Sequence, residues 1–352
     1  MALKAGIIGA GGISRCHLHG YRELGDRVEV VSCCDIEPGK AQRYAEEYGL
    51  KSYYDNCYDM LKNEDLDLVS VTTWNSAHAE CAIAALNAGC HVICEKPMAM
   101  NAKEAQAMAD AAEKNGRLLM IGFVRRHGND AYLAKELVDN GDLGEVYFAK
   151  ASYLRRAGFP GGWFGDKSRS GGGPLIDLGV HVIDLVKYVI GNPKPVSVYG
   201  ATFDKIGARD HIRHGGWVSE SAVEKPIFTV EDLAVAMIRF DTGAVLQVET
   251  SFNLNTKSGS GDIEIFGNKA GLTFSPFELH TEKGDRLADI TLAGDNGFDF
   301  SRDFDREIKN FVDAVEGKAA CIAPAADGVA LMKILDAIYE SARIGKSVDI
   351  VW

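Results

Sequence analysis

The sequence predicts an α/β protein: an N-terminal doubly wound parallel sheet followed by an α+β domain with a large, mostly antiparallel open sheet. Three observations carry this. Short, fully apolar runs alternate with helical patterns through the first 124 or so residues, as strands covered on both faces by helices would. A glycine-rich turn links the first apolar run to the first helical pattern. Past Phe123 the runs alternate polar and apolar, and turns join them instead of helices. At 352 residues the chain exceeds one typical core, so two domains are expected, divided here as 1–124 and 125–352, with a C-terminal helix free to pack back on the N-terminal domain.

The candidate strands of the first part are Ala5–Ile8, Val28–Cys34, Leu66–Thr72, His91–Cys94 and Leu118–Phe123. The helical stretches between them are Ser14–Leu24, Gly39–Tyr48, Ala77–Ala88 and Ala102–Asn115. The second part starts with a helix, Asn129–Asn140, and a strand, Val146–Leu154. A Gly-rich stretch then leads into an apolar helix, Leu175–Ile190. Strands follow at Val196–Phe203, Leu233–Phe240, Val245–Phe252 and Ile263–Phe266, with weaker ones to about Leu292. Turns reading FDTGA and FGNKAG join some of them. Two helices, near Asp303–Glu316 and Asp327–Ile344, close the chain. The segment from Asp204 to Glu231 is long enough to be functional instead of a plain connector.

The first strand ends in Gly9-Ala10-Gly11-Gly12-Ile13-Ser14 and opens a helix. Backbone amides and a helix N-terminus there can hold a pyrophosphate, as in the Rossmann turn. Gly9 permits the tight turn, Gly11 lets the backbone approach the phosphates, and Ser14 replaces the third glycine with a residue still small enough for close packing. The second strand ends at Asp35, about 20 residues on, where a carboxylate can accept hydrogen bonds from the adenosine ribose. Ile36 follows and no Arg or Lys comes before Lys40, so a 2′-phosphate would meet repulsion, and NAD is favoured over NADP. Asp35 also has a plainer reading, as a helix cap. The candidate cofactor-binding residues of this region are Gly9, Gly11, Gly12, Ile13, Asp35 and Ile36.

Ligands of such sheets bind beyond the carboxyl ends of the strands. Those ends carry Thr72-Thr73-Trp74-Asn75 with His78 one turn on, then Glu95-Lys96-Pro97, then Gly122-Phe123-Val124-Arg125. Pro97 biases Lys96 toward an extended backbone. Lys96 is either a solvated loop charge or an ammonium aimed at the cofactor, and His78 fits a structural helix-face histidine as well as a ligand.

The second anchor is Gly171-Gly172-Gly173-Pro174-Leu175-Ile176-Asp177-Leu178-Gly179-Val180-His181-Val182-Ile183-Asp184. Pro174 suits the first helical position, and a helix apolar nearly all round should be buried. Asp177, His181 and Asp184 fall at spacings of four and three, on one face. Such a stripe is either a wet face or a site; this one is narrow, short-chained and contains histidine. Oxidising a secondary alcohol needs a group to take the hydroxyl proton, and His181 titrates near working pH. Asp177 can orient the imidazole or bind the hydroxyl, and Lys96 can stabilise developing alkoxide charge. Lysine is a poor companion for a cation, so no metal is expected.

These elements together resemble the Gfo/Idh/MocA family of glucose–fructose oxidoreductase, inositol dehydrogenase and relatives. The matching segments are GIIGAGGIS at 6–14, Asp35, CEKPMAMN at 94–101, IGFVRRH at 121–127, GGGPLIDLGVHVID at 171–184 and VEDLAVAMIRFDTGAVLQVETSF at 230–252. The resemblance implies that Lys96, Asp177 and His181 form the catalytic set and that Thr72, Asn75, His78, Glu95, Lys96 and Arg125 line the cofactor. It also implies an open C-terminal sheet used for homo-oligomerisation, commonly as a dimer or tetramer. TTWNSAH stands where relatives often carry a proline, so Trp74 would shape the adenine or substrate side differently. Trp163 is either a wall for a sugar ring or core packing. In the Asp204–Glu231 segment, His211, Arg213, His214 and Trp217 would cover substrate or reach a neighbouring subunit.

Composition bounds the alternatives. A net charge of -12 argues against a nucleic-acid surface. No apolar run approaches the ~18 residues of a membrane span, and no charged-then-apolar signal segment opens the sequence. Seven of the eight cysteines fall within the first 94 residues and none forms C-x-x-C, so reduced thiols in a cytoplasmic protein are expected. The leading function is NAD-dependent oxidation of a secondary hydroxyl on a sugar, glycoside or cyclic polyol, including position 3 of a glucosyl unit. The alternative is a glycosidase or lyase that reduces and restores tightly held NAD in each turnover. A third reading, a non-catalytic NAD-binding regulator, sits badly with an intact Lys96, Asp177 and His181.

Overall fold

A computed structural model of the chain describes residues 2–212 and 217–352. It begins β1 Leu3–Ile8, α1 Ser14–Glu23, β2 Val28–Cys34, α2 Lys40–Tyr48, β3 Ser52–Tyr54, α3 Cys57–Asn63, β4 Leu68–Val71, α4 Asn75–Asn87, β5 His91–Glu95, α5 Ala102–Asn115 and β6 Leu119–Gly122. The six strands pair in the order β3-β2-β1-β4-β5-β6, all parallel. This is a doubly wound sheet with its switch point between β1 and β4, where dinucleotides bind. Ile7, Leu68, Val69, Val71, Val92 and Ile93 are fully buried in it, which is why these strands carry no polar alternation. Caps set the helix ends: Asn56 accepts the Asp59 amide, and Asn101 the Glu104 amide, both at 2.9 Å, while Gly116 ends α5 in the left-handed region. The strand β3 and helix α3 are absent from the sequence reading. With Ser52 and Tyr54 half-buried and Tyr53 exposed, the edge strand β3 lacks the apolar run that marks its neighbours.

The chain continues with α6 Asn129–Asp139, β7 Val146–Leu154, the short α7 Lys167–Ser170 and, after a π-helical turn at Leu175–Gly179, α8 Val180–Val189. Then come β8 Pro195–Phe203, β9 Leu233–Phe240, β10 Val245–Ser251, β11 Ser260–Gly267, β12 Ala270–Phe274, β13 Phe277–Lys283 and β14 Arg286–Thr291. Helices α9 Phe300–Val315 and α10 Ala325–Ile344 precede β15 Val348–Asp349. The second sheet has nine strands in the order β14-β13-β12-β11-β7-β10-β9-β8-β15. Only the β7–β10 pair is parallel among its pairings. Ala234, Ala236, Ile238 and Phe240 of β9 point into the core while Met237 points out.

Two compact units result: Met1–Val124 with Asp299–Val329, and Arg125–Phe298 with Ala330–Trp352. Residues 299–329, assigned from sequence to the second domain, thus fold with the first. The reason is the packing of α9 on α1. A Cβ on Gly20 would sit 2.8 Å from the side chain of Ile308, so glycine is needed for that approach. His19 reaches Asp305 at 2.8 Å and Arg27 reaches Asp313 at 2.6 Å along the same seam.

Candidate active site

In the first unit the glycine turn is clamped to the end of β4. Gly9 has φ +96°, and a Cβ there would lie 2.8 Å from the Thr72 carbonyl group. Thr72 reciprocates, its hydroxyl donating to Gly9 O at 2.7 Å and Ile8 O at 3.1 Å. The Thr72 hydroxyl therefore holds the turn. On the other side of the turn, a Cβ built on Gly11 meets no atom within 4 Å. Gly12 is exposed and Ile13 half-buried, and α1 starts at Ser14 with no side-chain cap and no acidic residue in its first turn. The Ser14, Arg15 and Cys16 amides bond back to the Gly11, Gly12 and Ile13 carbonyls at 3.2, 3.4 and 3.0 Å, so the turn winds straight into the helix and sits at its positive end, which fits a dinucleotide pyrophosphate.

Asp35 performs two tasks in this turn. Its Oδ2 accepts the Ala10 amide at 2.9 Å and its Oδ1 the Glu37 amide at 2.9 Å. Lys40 folds back to within 3.4 Å of Asp35, so a cation does stand beside the position the ribose carboxylate occupies. Counting charges along the chain missed this, because the turn at 36–39 brings Lys40, the first residue of α2, back over the strand end. Ile36 is exposed.

At the next strand ends, Trp74 is half-buried just before α4, and Asn75 and His78 are buried. The imidazole of His78 lies between two carbonyls, 2.8 Å from Pro97 O and 3.1 Å from Thr73 O, tying the two strand-end turns together. Burial lowers its pKa. Glu95 is buried too; Oε1 meets His17 Nε2 at 3.1 Å and Oε2 accepts the Lys96 amide at 3.1 Å. Burial works against its ionisation, yet the His17 hydrogen bond and the nearby Lys96 charge hold its carboxyl below the usual range. Lys96 itself is half-buried, before a cis bond to Pro97. Sequence reasoning missed His17. Its signal was the four-residue spacing to Tyr21, which puts both on the inward face of α1.

In the second unit, the π turn and α8 form a helix buried almost throughout. From Gly172 to Lys187, Asp177 and His181 are the two residues that are not buried. The stripe is therefore not a wet face. Asp184 leaves it: this carboxylate forms a bidentate pair with Arg126, at 2.8 and 2.6 Å, with Arg126 fully buried and stacked 4.8 Å over Tyr188. Asp184 parts from the other two because its carboxylate is taken up by the buried Arg126, while Asp177, in the π turn, and His181, in α8, remain the accessible pair. The buried Glu231 caps that turn, accepting the Leu175 amide at 3.3 Å and the Tyr339 hydroxyl at 2.9 Å. Burial pushes its carboxyl pKa up.

Arg125 pairs with Asp130 at 2.8 Å and lies 4.5 Å over the Phe298 ring. Trp163 is half-buried and stacks on Phe164 at 4.0 Å, with Trp217 edge-on to Phe164 at 5.7 Å. Phe164 in turn packs on the core cluster of Phe159, Leu178 and Phe252. The indole of Trp163 is thus an outer layer resting on the core that carries the π turn. Trp217 and His211 are exposed, and Arg213 and His214 lie outside the described residues. Among the described residues, His17, Glu95 and Glu307 bring ligand-type atoms within 4.8 Å of one another.

The glycine turn at a β1/β4 switch point, the strand-end Asp35 and the polar residues on the following strand ends define a dinucleotide-dependent oxidoreductase. Residues 3–123 match the oxidoreductase family with an NAD-binding Rossmann fold, and residues 132–273 match the GFO/IDH/MocA C-terminal domain. The chain is 38% identical over 352 residues to D-glucoside 3-dehydrogenase of Escherichia coli, covering 99% of this chain and 97% of that protein. It is 38% identical over 192 residues to glucose-6-phosphate 3-dehydrogenase of Bacillus subtilis, covering 53% of each. The solved structure of levoglucosan dehydrogenase with NADH and levoglucosan superposes with a TM-score of 0.87 at 25% identity, covering 100% of both chains. The protein belongs to the GFO/IDH/MocA family and is an NAD-dependent oxidoreductase.

Proposed function

We propose that the protein oxidises one secondary hydroxyl of a sugar, glycoside or cyclic polyol, with position 3 of a glucosyl unit the favoured site. The observation that carries this is the pair Asp177 and His181, the two accessible polar residues on an otherwise buried helix. The full-length similarity to a D-glucoside 3-dehydrogenase supports the substrate class and the position.

NAD, when bound, accepts the hydride from the carbinol carbon. His181 takes the hydroxyl proton as general base, a role that imidazole chemistry suits. Asp177 orients the imidazole or holds the hydroxyl. Lys96 supplies an ammonium that stabilises alkoxide charge as it develops. Gly9, Gly11, Gly12 and Ile13 hold the pyrophosphate, Asp35 and Ile36 flank the adenosine ribose, and Thr72, Trp74, Asn75, His78, Lys96 and Arg125 line the rest of the cofactor, while the buried Glu95 stands behind this lining and accepts the Lys96 amide. Trp163 offers an apolar face to the sugar ring.

The test is a panel of glucose, methyl glucosides, inositol and levoglucosan with NAD, followed by NADH absorbance and product analysis. NADH should accumulate one-for-one with a 3-keto product. Release of a free sugar from a glycoside with no net NADH would overturn the reading. The eight cysteines are all free thiols, which fits a reducing cytoplasm, and no helix among the described residues is long and apolar enough to cross a membrane. We further propose a homo-oligomer formed through the second sheet, whose outward Tyr147, Tyr199 and Met237 are exposed.

A further inference from the structure

A buried line of side chains leads to Lys96, and hydride transfer does not call on it. Tyr21 OH lies 2.9 Å from Ser70 Oγ, Ser70 Oγ 3.0 Å from His17 Nδ1, and His17 Nε2 3.1 Å from Glu95 Oε1. The other Glu95 oxygen accepts the Lys96 amide at 3.1 Å. Proton directions follow from the carboxylate end. Glu95 can only accept, so His17 donates through Nε2; its Nδ1 then accepts from Ser70, and Ser70 accepts from Tyr21. Burial raises the Tyr21 phenol well above its usual pKa, so it stays a donor. Every link is satisfied without a cation. From the opposite side, His78 grips the Pro97 carbonyl at 2.8 Å.

The charges around Glu95 are unequal. Cys16 and His17 face it from α1, His78 from α4, Cys94 and Lys96 from β5 and its end, and Glu307 from α9. Among the described residues neither oxygen of fully buried Glu307 has a hydrogen-bond partner, and burial together with the Glu95 charge raises its pKa. Of the two buried carboxyls, Glu95 is the hydrogen-bonded one and the one held below the usual range. A neutral amide could still accept from the Lys96 backbone, so the costly buried charge needs another reason.

We infer that Glu95, held by His17, is a positioning residue for Lys96: it fixes the lysine backbone and sets a buried carboxylate charge beside the ammonium. Glu95 acts through Lys96 and not on the cofactor. The inference rests on the proposed role of Lys96.

The test is a cycle on the intact enzyme with NAD and the most active glycoside of the panel. Glu95→Gln should lower kcat by roughly tenfold to a hundredfold. Its NAD Kd, from fluorescence titration, should stay within about twofold. In a Lys96→Met background the same change should cost nothing further, because its route of action is gone. His17→Leu should behave like Glu95→Gln, and His17→Gln, which keeps a donor, should restore part of the loss; this pair serves if Glu95→Gln does not fold. Losses that multiply in the double variant would overturn the inference, as would weakened NAD binding at unchanged kcat. Wild-type turnover in Lys96→Met would instead remove the underlying reading of Lys96, a distinguishable result.

Discussion

At the scale of single residues, Asp177 and His181 are polar groups that an otherwise buried helix leaves within reach of solvent. His181→Ala and Lys96→Ala are each expected to lower turnover by roughly 10²–10⁴ while NAD still binds, measured by steady-state rates beside cofactor titration. Asp35 presents a sharper case. Because Lys40 already stands 3.4 Å away, Asp35→Ser alone should move preference toward NADP, with no added arginine. Removing Lys40 as well should abolish the gain, and comparison of kcat/KM for the two cofactors checks both. Gly9→Ala should cost about 1–3 kcal/mol in chemical denaturation and weaken NAD binding, since φ +96° and the Thr72 carbonyl at 2.8 Å leave no room for a methyl.

At the scale of elements, the parts easiest to read from sequence were those buried on both faces. Strands such as β2 and β4 are near-continuous apolar runs, and the Asn101 and Gly116 caps of α5 stand in the sequence at the helix ends. What escaped depended on partners distant in sequence. The edge strand β3 takes its place from pairing with β2, and the π turn before α8 leaves no mark on a 3.6-residue periodicity. Asp184 read as part of a reactive stripe because Arg126, its partner, lies 58 residues earlier. That pair yields a prediction: Arg126→Ala strands a buried carboxylate and should destabilise the protein by about 3–5 kcal/mol in urea. Helix α9 yields another. Buried Glu307 has its pKa raised by burial and by the Glu95 charge. In the unfolded chain it ionises near ~4.3, so its contribution to stability is fully present below that pH and is lost as pH rises toward the raised folded value. Glu307→Gln should remove the loss, making the variant more stable than wild type at neutral pH and no more stable below about pH 4. Thermal melts across that range decide it.

For the whole molecule, the chain crosses between its units more than once: from the first to the second at Val124–Arg125, back at Phe298–Asp299, and out again within α10. The sequence rhythm showed the first crossing, where strand–helix alternation stops. It leaves a C-terminal helix free to return, but which one and where the chain crosses were not legible, since an amphipathic helix looks alike wherever it docks. The placement of Gly20 against Ile308 has an outcome during synthesis. As the ribosome extrudes the chain, the nucleotide-binding half emerges first yet lacks the helix that seals α1 until some three hundred residues have been made. A nascent polypeptide halted near residue 124 should stay protease-sensitive and take up little NAD, and supplying 299–329 as a separate peptide should restore both properties.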